Sequence, residues 1–375
     1  MNASLLADAA ERWGTPLYVT DLDAAAERAT AWRRALPGAL VAFAVKANPD
    51  PALLRRLAAE GIGFEVVGPV ELALALRAGA TADRIVVNGA GQTDADLTAA
   101  LDSGALVNAE TIGGLEAMLR HPGRIGMRVN PALDAGTHPH LATGAADSKF
   151  GIGLDELPAA LELVRKAGRR LESIGAHIGS DVRQLEPFAA LAGLLGQLAT
   201  DAGAERIDLG GGFAGSPHAY ADAVRPHLPE PARLIVEPGR GIVADAGWLL
   251  TRVVRSQARG HLIADAGMTE LIRPMLYGAS HPVMLVTPGR SVDDGPWTLS
   301  GPICEAGDVL ARDLQLGPSV GEGALLAIGE VGAYGLSMTS SYNGRLRPAQ
   351  AVIEGGELRL SRRRETLEDL AARDV

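Results

Sequence analysis

Lys46 closes the apolar run ALVAFAVKAN, and of 35 basic residues only it, Lys149 and Lys166 are lysine rather than arginine. Arginine serves solubility and surface ion pairs equally well, but it stays protonated and cannot form the imine that a desolvated lysine can. A lysine whose stem snorkels from a strand end to water is the plain structural alternative. Two further clusters bear on the choice. DLGGGF, residues 208–213, sets three glycines after an apolar strand, as a tight strand-to-helix turn or a close approach of amides to an anion requires. EPGR, residues 237–240, adds a guanidinium suited to a phosphate and a carboxylate suited to a cationic partner. Lys46 for an imine, Gly210, Gly211, Gly212 and Arg240 for a phosphate, and Glu237 for a protonated ring nitrogen together describe a pyridoxal phosphate site.

The elements that must hold these groups are countable. Eight β-rich apolar runs occupy residues 39–48, 61–67, 84–89, 105–110, 124–131, 171–179, 206–212 and 234–240. Helical patterns such as PALLRRLAAE, PVELALALRAG and LEPFAALAGLLGQLATDAG separate them, several opened by proline or closed by glycine. Eight strand–helix units predict an α/β fold, a (β/α)8 TIM-type barrel, with a doubly wound open sheet as its rival. In a barrel the reactive side chains gather where strands end. Lys46, Glu65, Arg128, Asn130, His177, Ser180, the three glycines, Glu237 and Arg240 do so.

Beyond residue 245 the alternation gives way to VVRSQARGHLIADAG, HPVMLVT and GALLAIGEVGAYG, which read as a mainly antiparallel β domain. TPLYVTDLD near the start is too short to stand alone and is expected to add a strand to it. The division expected is a barrel over 25–244 and a β domain from 1–24 and 245–375. SRRRETLEDLAARDV reads as a charged helix or frayed tail.

A net charge of −10 without a basic stripe argues against nucleic acid, and no apolar stretch is long enough for a membrane span. Small molecules are the expected partners. Cys304, the single cysteine, excludes an internal disulfide, and MNASLLADAAERWG lacks the features of a secretory signal, so a cytoplasmic location is expected. His138 and His140 in GTHPHL lack supporting ligands and read as loop residues, so no metal is expected. Lys149 reads as structural or near the site, and Lys166 as an exposed charge at a helix end.

Seven motifs in order, FAVKAN, RVNP with HLATGAADSKFGI, HIGS, GGG with EPGR, RPMLYG, GPICEAGD and GAYG, resemble those of the fold-type III pyridoxal-phosphate decarboxylases, in particular the diaminopimelate decarboxylase branch. The resemblance runs the length of the chain. It implies that Lys46 holds the cofactor, that His177 stacks on its ring, that Ser180, Gly210, Gly211, Gly212, Gly239 and Arg240 surround its phosphate, and that Glu237 pairs with the pyridinium. It implies further that Cys304 is a proton donor and Glu305 a ligand of the substrate amine, both delivered across a homodimer with shared sites. Arg240, Arg273 and Tyr277 are implied to hold a distal carboxylate of an amino-acid substrate, and Tyr334 to complete the site.

The chain departs from the family pattern where an aspartate and serine usually follow the second strand: Glu65, Gly68 and Pro69 stand there, and NGAGQT at 88–93 is also unusual. The expected reaction is decarboxylation of meso-diaminopimelate to L-lysine. Alternatives are the same chemistry on a related amino acid of siderophore or antibiotic synthesis, an amino-acid racemase, or a non-catalytic carrier of the cofactor. Racemases of this architecture keep the ring nitrogen unprotonated with an arginine, whereas Glu237 stands here.

Overall fold

The computed structural model describes residues 2–133, 143–145, 147–230, 232–292 and 295–374. It contains two compact units, Ala26–Ile242, and Met1–Ala25 together with Val243–Val375.

All eight apolar runs form strands of the first unit: Leu40–Ala44, Gly63–Val66, Ile85–Val87, Leu106–Ala109, Arg124–Asn130, Ser173–Gly175, Arg206–Asp208 and Arg233–Val236. Each is parallel to its neighbours. The first pairs with both the second, Phe43 opposite Phe64, and the eighth, Val41 opposite Val236, so the sheet closes into a barrel. Closure excludes the open-sheet rival. A short additional strand, Ile152–Gly153, pairs beside the fifth.

Strands buried on both faces explain the unbroken apolar runs: every residue of Leu40–Ala44 is buried. Inside, Leu40, Ala42, Val86, Leu106 and Ile235 form one apolar cluster. Side chains alternate faces with period two, so Asn88, Asn108 and Glu237, each two residues beyond a member of that cluster, share the interior face one layer nearer the strands' C-terminal ends. A hydrophobic floor thus lies beneath a polar layer. After the first strand the chain makes a single 3-10 turn, Val45–Ala47, and Asp50 Oδ1 accepts from the amides of Ala52 and Leu53 to start the helix Pro51–Ala59. A capping aspartate followed by proline at the first helical position fixes that turn, and with it the exit direction of Lys46.

In the second unit, Leu17–Asp21 lies between the antiparallel strand Gly247–Gln257 and the parallel strand Ala349–Glu354. The N-terminal strand therefore joins a mainly antiparallel sheet, as the sequence predicts. Ahead of it stands a helix, Ala3–Trp13, capped by Asn2, whose buried Leu6, Ala9 and Ala10 pack in an apolar cluster with Leu17, Val19 and Leu250. The tail divides: its first residues complete the strand Glu357–Arg362 and Leu367–Ala371 forms a short helix capped by Thr366.

Candidate active site

The barrel mouth holds a cavity of about 270 Å³. Lys46, Glu65, Asn88, Asn108, Asp208 and Glu237 line it, with His177, Arg128 and Phe150 on its walls. Lys46 is the single lysine among its lining residues, and its Nζ donates to Glu65 Oε2 at 2.5 Å. The ammonium is paired with a buried carboxylate in the cavity. Glu65, read from the sequence as a strand-end residue and a departure from the family pattern, is the lysine's counter-charge.

Three carboxylates from the second, seventh and eighth strands converge. Asn88 Nδ2 donates to Glu237 Oε1 at 2.7 Å and to Glu65 Oε1 at 3.3 Å, and Asp208 shares a hydrogen bond with Glu237. Burial, reinforced by Asp208 and Glu65, pushes the Glu237 carboxyl well above the usual range, with Lys46 pulling the other way. Burial likewise raises Asp208 to about 6, although the amide of Gly210 donates to its Oδ1 at 2.9 Å.

His177 is half-buried, and its Nδ1 accepts from the amide of Gly211 at 3.0 Å. An accepting Nδ1 requires a neutral ring protonated at Nε2. Burial is the main cause of its lowered pKa, aided by the charges of Arg128 and Lys46. Arg128 is itself fixed, donating to Glu110 Oε1 at 3.2 Å with its guanidinium 4.9 Å from the Phe150 ring centre.

The triple-glycine turn is a cradle that any side chain would fill. Gly210 and Gly212 have φ of +63° and +94°. A Cβ on Gly212 would lie 1.8 Å from the Gly179 carbonyl oxygen, and one on Gly211 2.1 Å from that of Glu237. The amides of Gly210 and Gly211 are already given to Asp208 and His177, so these two glycines serve the turn's shape. Beneath the turn, Trp32, Phe188, Phe213 and Tyr220 pack edge to face. Ser180 and Arg240 are half-buried, and Gly239 is buried against Ala44 and Ala47, where a Cβ would come within 2.9 Å of Ala47.

Cys304, Glu305, Arg273, Tyr277 and Tyr334 lie in the second unit. Cys304 is exposed, and neighbouring Glu305 accepts from the Tyr342 hydroxyl at 2.7 Å. The loop carrying them is tied by buried Asp308, which accepts from the amides of Met268 and Ile303. Arg273 is buried with its guanidinium 5.5 Å from the Tyr277 ring centre, and Tyr334 sits at φ +58°, unusual for a residue with a side chain. Lys166 ends the helix Leu157–Lys166, 3.7 Å from Glu162, as its bland reading has it, and Lys149 lies 5.2 Å from the Phe150 ring. His138 and His140 lie outside the described residues. Among those described, no group of His, Cys, Asp and Glu is arranged to hold a metal, and no helix is long and apolar enough to cross a membrane.

Sequence reasoning passed over Asn88, Asn108, Glu110, Thr143 and Phe150 as site residues. Asn88 and Asn108 do carry a signal, an amide side chain two residues beyond an interior apolar position of a barrel strand.

A closed parallel barrel whose mouth opposes one lysine to buried carboxylates beside a glycine cradle defines a barrel enzyme built for lysine chemistry. Residues 22–244 match the family model of the pyridoxal-dependent decarboxylases, pyridoxal binding domain, and the chain belongs to this family. Relatives along the whole length agree. It is 44% identical to diaminopimelate decarboxylase of Deinococcus radiodurans over 100% of both chains, and 41% identical to that of Pseudomonas aeruginosa over 97% of this chain and 93% of the other. The crystal structure of Helicobacter pylori diaminopimelate decarboxylase complexed with L-lysine superposes with a TM-score of 0.92 at 32% identity, covering 98% of each chain.

Proposed function

We propose that the enzyme uses pyridoxal phosphate bound through Lys46 to remove one carboxylate of meso-diaminopimelate as carbon dioxide, yielding L-lysine. The observation that carries this reading is Lys46 facing a cavity that also holds Glu237, in a chain similar over its full length to diaminopimelate decarboxylases. The residues suit the cofactor: a turn without side chains accommodates a phosphate, and a carboxylate buried opposite the lysine suits a ring nitrogen. When bound, the cofactor supplies the electron sink for the pair left by departing carbon dioxide.

The protein's own groups then have distinct tasks. Glu237 holds a proton at the ring nitrogen. The neutral His177, fixed by Gly211, stacks on the ring. Ser180, Gly212, Gly239 and Arg240 hold the phosphate, while Gly210 and Gly211 shape the turn around it. Arg240, Arg273 and Tyr277 grip the distal carboxylate, and Tyr334 completes the substrate's surroundings. The functional form in this reading is a cytoplasmic homodimer in which Cys304 of the partner subunit delivers the proton that replaces carbon dioxide and Glu305 of the partner subunit binds the substrate amine.

The test is carbon dioxide release from the separate diaminopimelate isomers and related amino acids. Turnover of the meso isomer with L-lysine as product is expected. A cofactor-loaded enzyme inert toward it but active on another amino acid would refute the substrate while leaving the family assignment intact.

A further inference from the structure

Asn108, Gly126 and Ser173 stand in one row across three neighbouring barrel strands, Asn108 in register with Gly126 and Gly126 with Ser173. The middle position has no side chain, and Ser173 Oγ reaches across it to donate to Asn108 Oδ1 at 2.9 Å. A Cβ on Gly126 would lie 2.1 Å from each of those two atoms. Asn108 Nδ2 in turn donates to Asn88 Oδ1 at 2.9 Å, and Asn88 Nδ2 donates to Glu237 and Glu65. Asn88, Asn108 and Ser173 are all buried.

Such a chain has a direction. A hydroxyl can donate or accept, so Ser173 alone does not fix it. Reversed, the chain would turn Asn88 Oδ1 onto the carboxylate oxygens of Glu237 and Glu65, an arrangement that only a protonated acid could satisfy. Glu65 is salt-bridged to the Lys46 ammonium and accepts from the same amide, which holds Asn88 in the donating sense.

We propose that Asn88, held in the donating sense by Glu65 and braced in place through Asn108 and Ser173, is a positioning residue that keeps Glu237 an accepting carboxylate and so leaves the shared proton on the cofactor's ring nitrogen. This rests on the assignment of Glu237 to that nitrogen made above. The charged groups facing Glu237 are Asp208, Glu65 and Lys46. Without cofactor the two carboxylates oppose its ionisation and Lys46 and the Asn88 donor favour it; once Lys46 holds the cofactor, the Asn88 donor remains.

The test uses holoenzyme loaded with ¹⁵N-labelled pyridoxal phosphate, reading the ring-nitrogen chemical shift together with kcat and KM. Asn88→Leu keeps the approximate volume and removes the donor. Its ring-nitrogen shift is expected to move toward that of unprotonated pyridine and its kcat to fall roughly tenfold, with cofactor stoichiometry kept and KM changed less than about twofold. Ser173→Ala, remote from the carboxylates, should move the shift in the same direction by less. A folded, loaded Asn88→Leu enzyme with the wild-type shift overturns the proposal. If Asn88→Leu does not fold, an unchanged shift in Ser173→Ala overturns it. Glu237→Gln separates the two levels: a shift unmoved by that change sinks the assignment of Glu237 itself, whereas a shift moved by Glu237→Gln but not by the relay variants sinks the relay alone.

Discussion

Lys46 Nζ and Glu65 Oε2 meet at 2.5 Å although their strands are separated by a helix, and the two side chains are unequally exposed, 39% for the lysine and 1% for the glutamate. The carboxylate is the buried anchor and the ammonium the end that faces the cavity. Glu65 meets both Lys46 and the Asn88 amide.

Glu65 also raises the carboxyl of Glu237 through its charge. In Glu65→Gln, without added cofactor, the Glu237 carboxyl should therefore ionise at lower pH than in wild type. The protonated-carboxyl stretch in difference infrared spectra, assigned with Glu237→Gln, follows this directly. An unchanged or raised midpoint would show that the charge of Glu65 does not reach Glu237.

Asp208 gives a stability prediction with a definite sign. Its pKa is raised from 3.8 to about 6, so between those values the folded protein holds a proton that the unfolded chain has released. Stability is lost as pH rises through that window, and the loss is complete above about 6. The side-chain amide introduced by Asp208→Asn cannot ionise yet keeps an oxygen to accept from the Gly210 amide. In cofactor-free protein this variant should be more stable than wild type at pH 7 by on the order of 3 kcal/mol and indistinguishable near pH 3. Thermal melts at the two pH values decide the matter.

Gly212→Ala should cost both stability and cofactor. The new methyl would press on the Gly179 carbonyl oxygen at a φ of +94°, and relief requires the turn to shift. A melting point lower by several degrees and loss of pyridoxal phosphate on gel filtration are expected. Full retention of cofactor by the variant would mean that the turn does not shape the phosphate site.

Arg273 is buried beside Tyr277. If it grips the distal carboxylate, Arg273→Ala removes a charge-assisted partner worth roughly 2–4 kcal/mol, and KM for meso-diaminopimelate should rise about thirtyfold or more with a smaller effect on kcat. A normal KM would remove Arg273 from the substrate site.

Shared sites predict complementation. Lys46→Ala and Cys304→Ala variants, each inactive, should regain part of the activity when co-refolded, because a hybrid dimer contains one site with both residues intact. No recovery, with subunit exchange demonstrated by mass spectrometry, would confine each site to one chain.

The sequence by itself determined the eight strand–helix units and the first chemical group of the site, while closure into a barrel was decided by the structure. Strands covered on both faces are mostly apolar, so each of the eight left a recognisable run, polar mainly toward its ends. The turn after the first strand is written locally in Asn48, Asp50 and Pro51, and a lysine at that turn stands out in a chain otherwise served by arginine. These are short-range constraints, and short-range patterns record them. Tertiary structure alone decided that Glu65 faces Lys46 and holds Asn88 as a donor, that Asp208 and Glu237 share a proton-holding cluster, and that Asn88 is braced through Asn108 by Ser173 across Gly126. Glu65 and Asp208 lie on the second and seventh strands and Glu237 directly follows the eighth, and only closure of the first strand onto both the second and the eighth brings them around one cavity. A carboxylate's pKa and an amide's direction depend on which groups are nearest in space, and no periodicity along the chain encodes those neighbours.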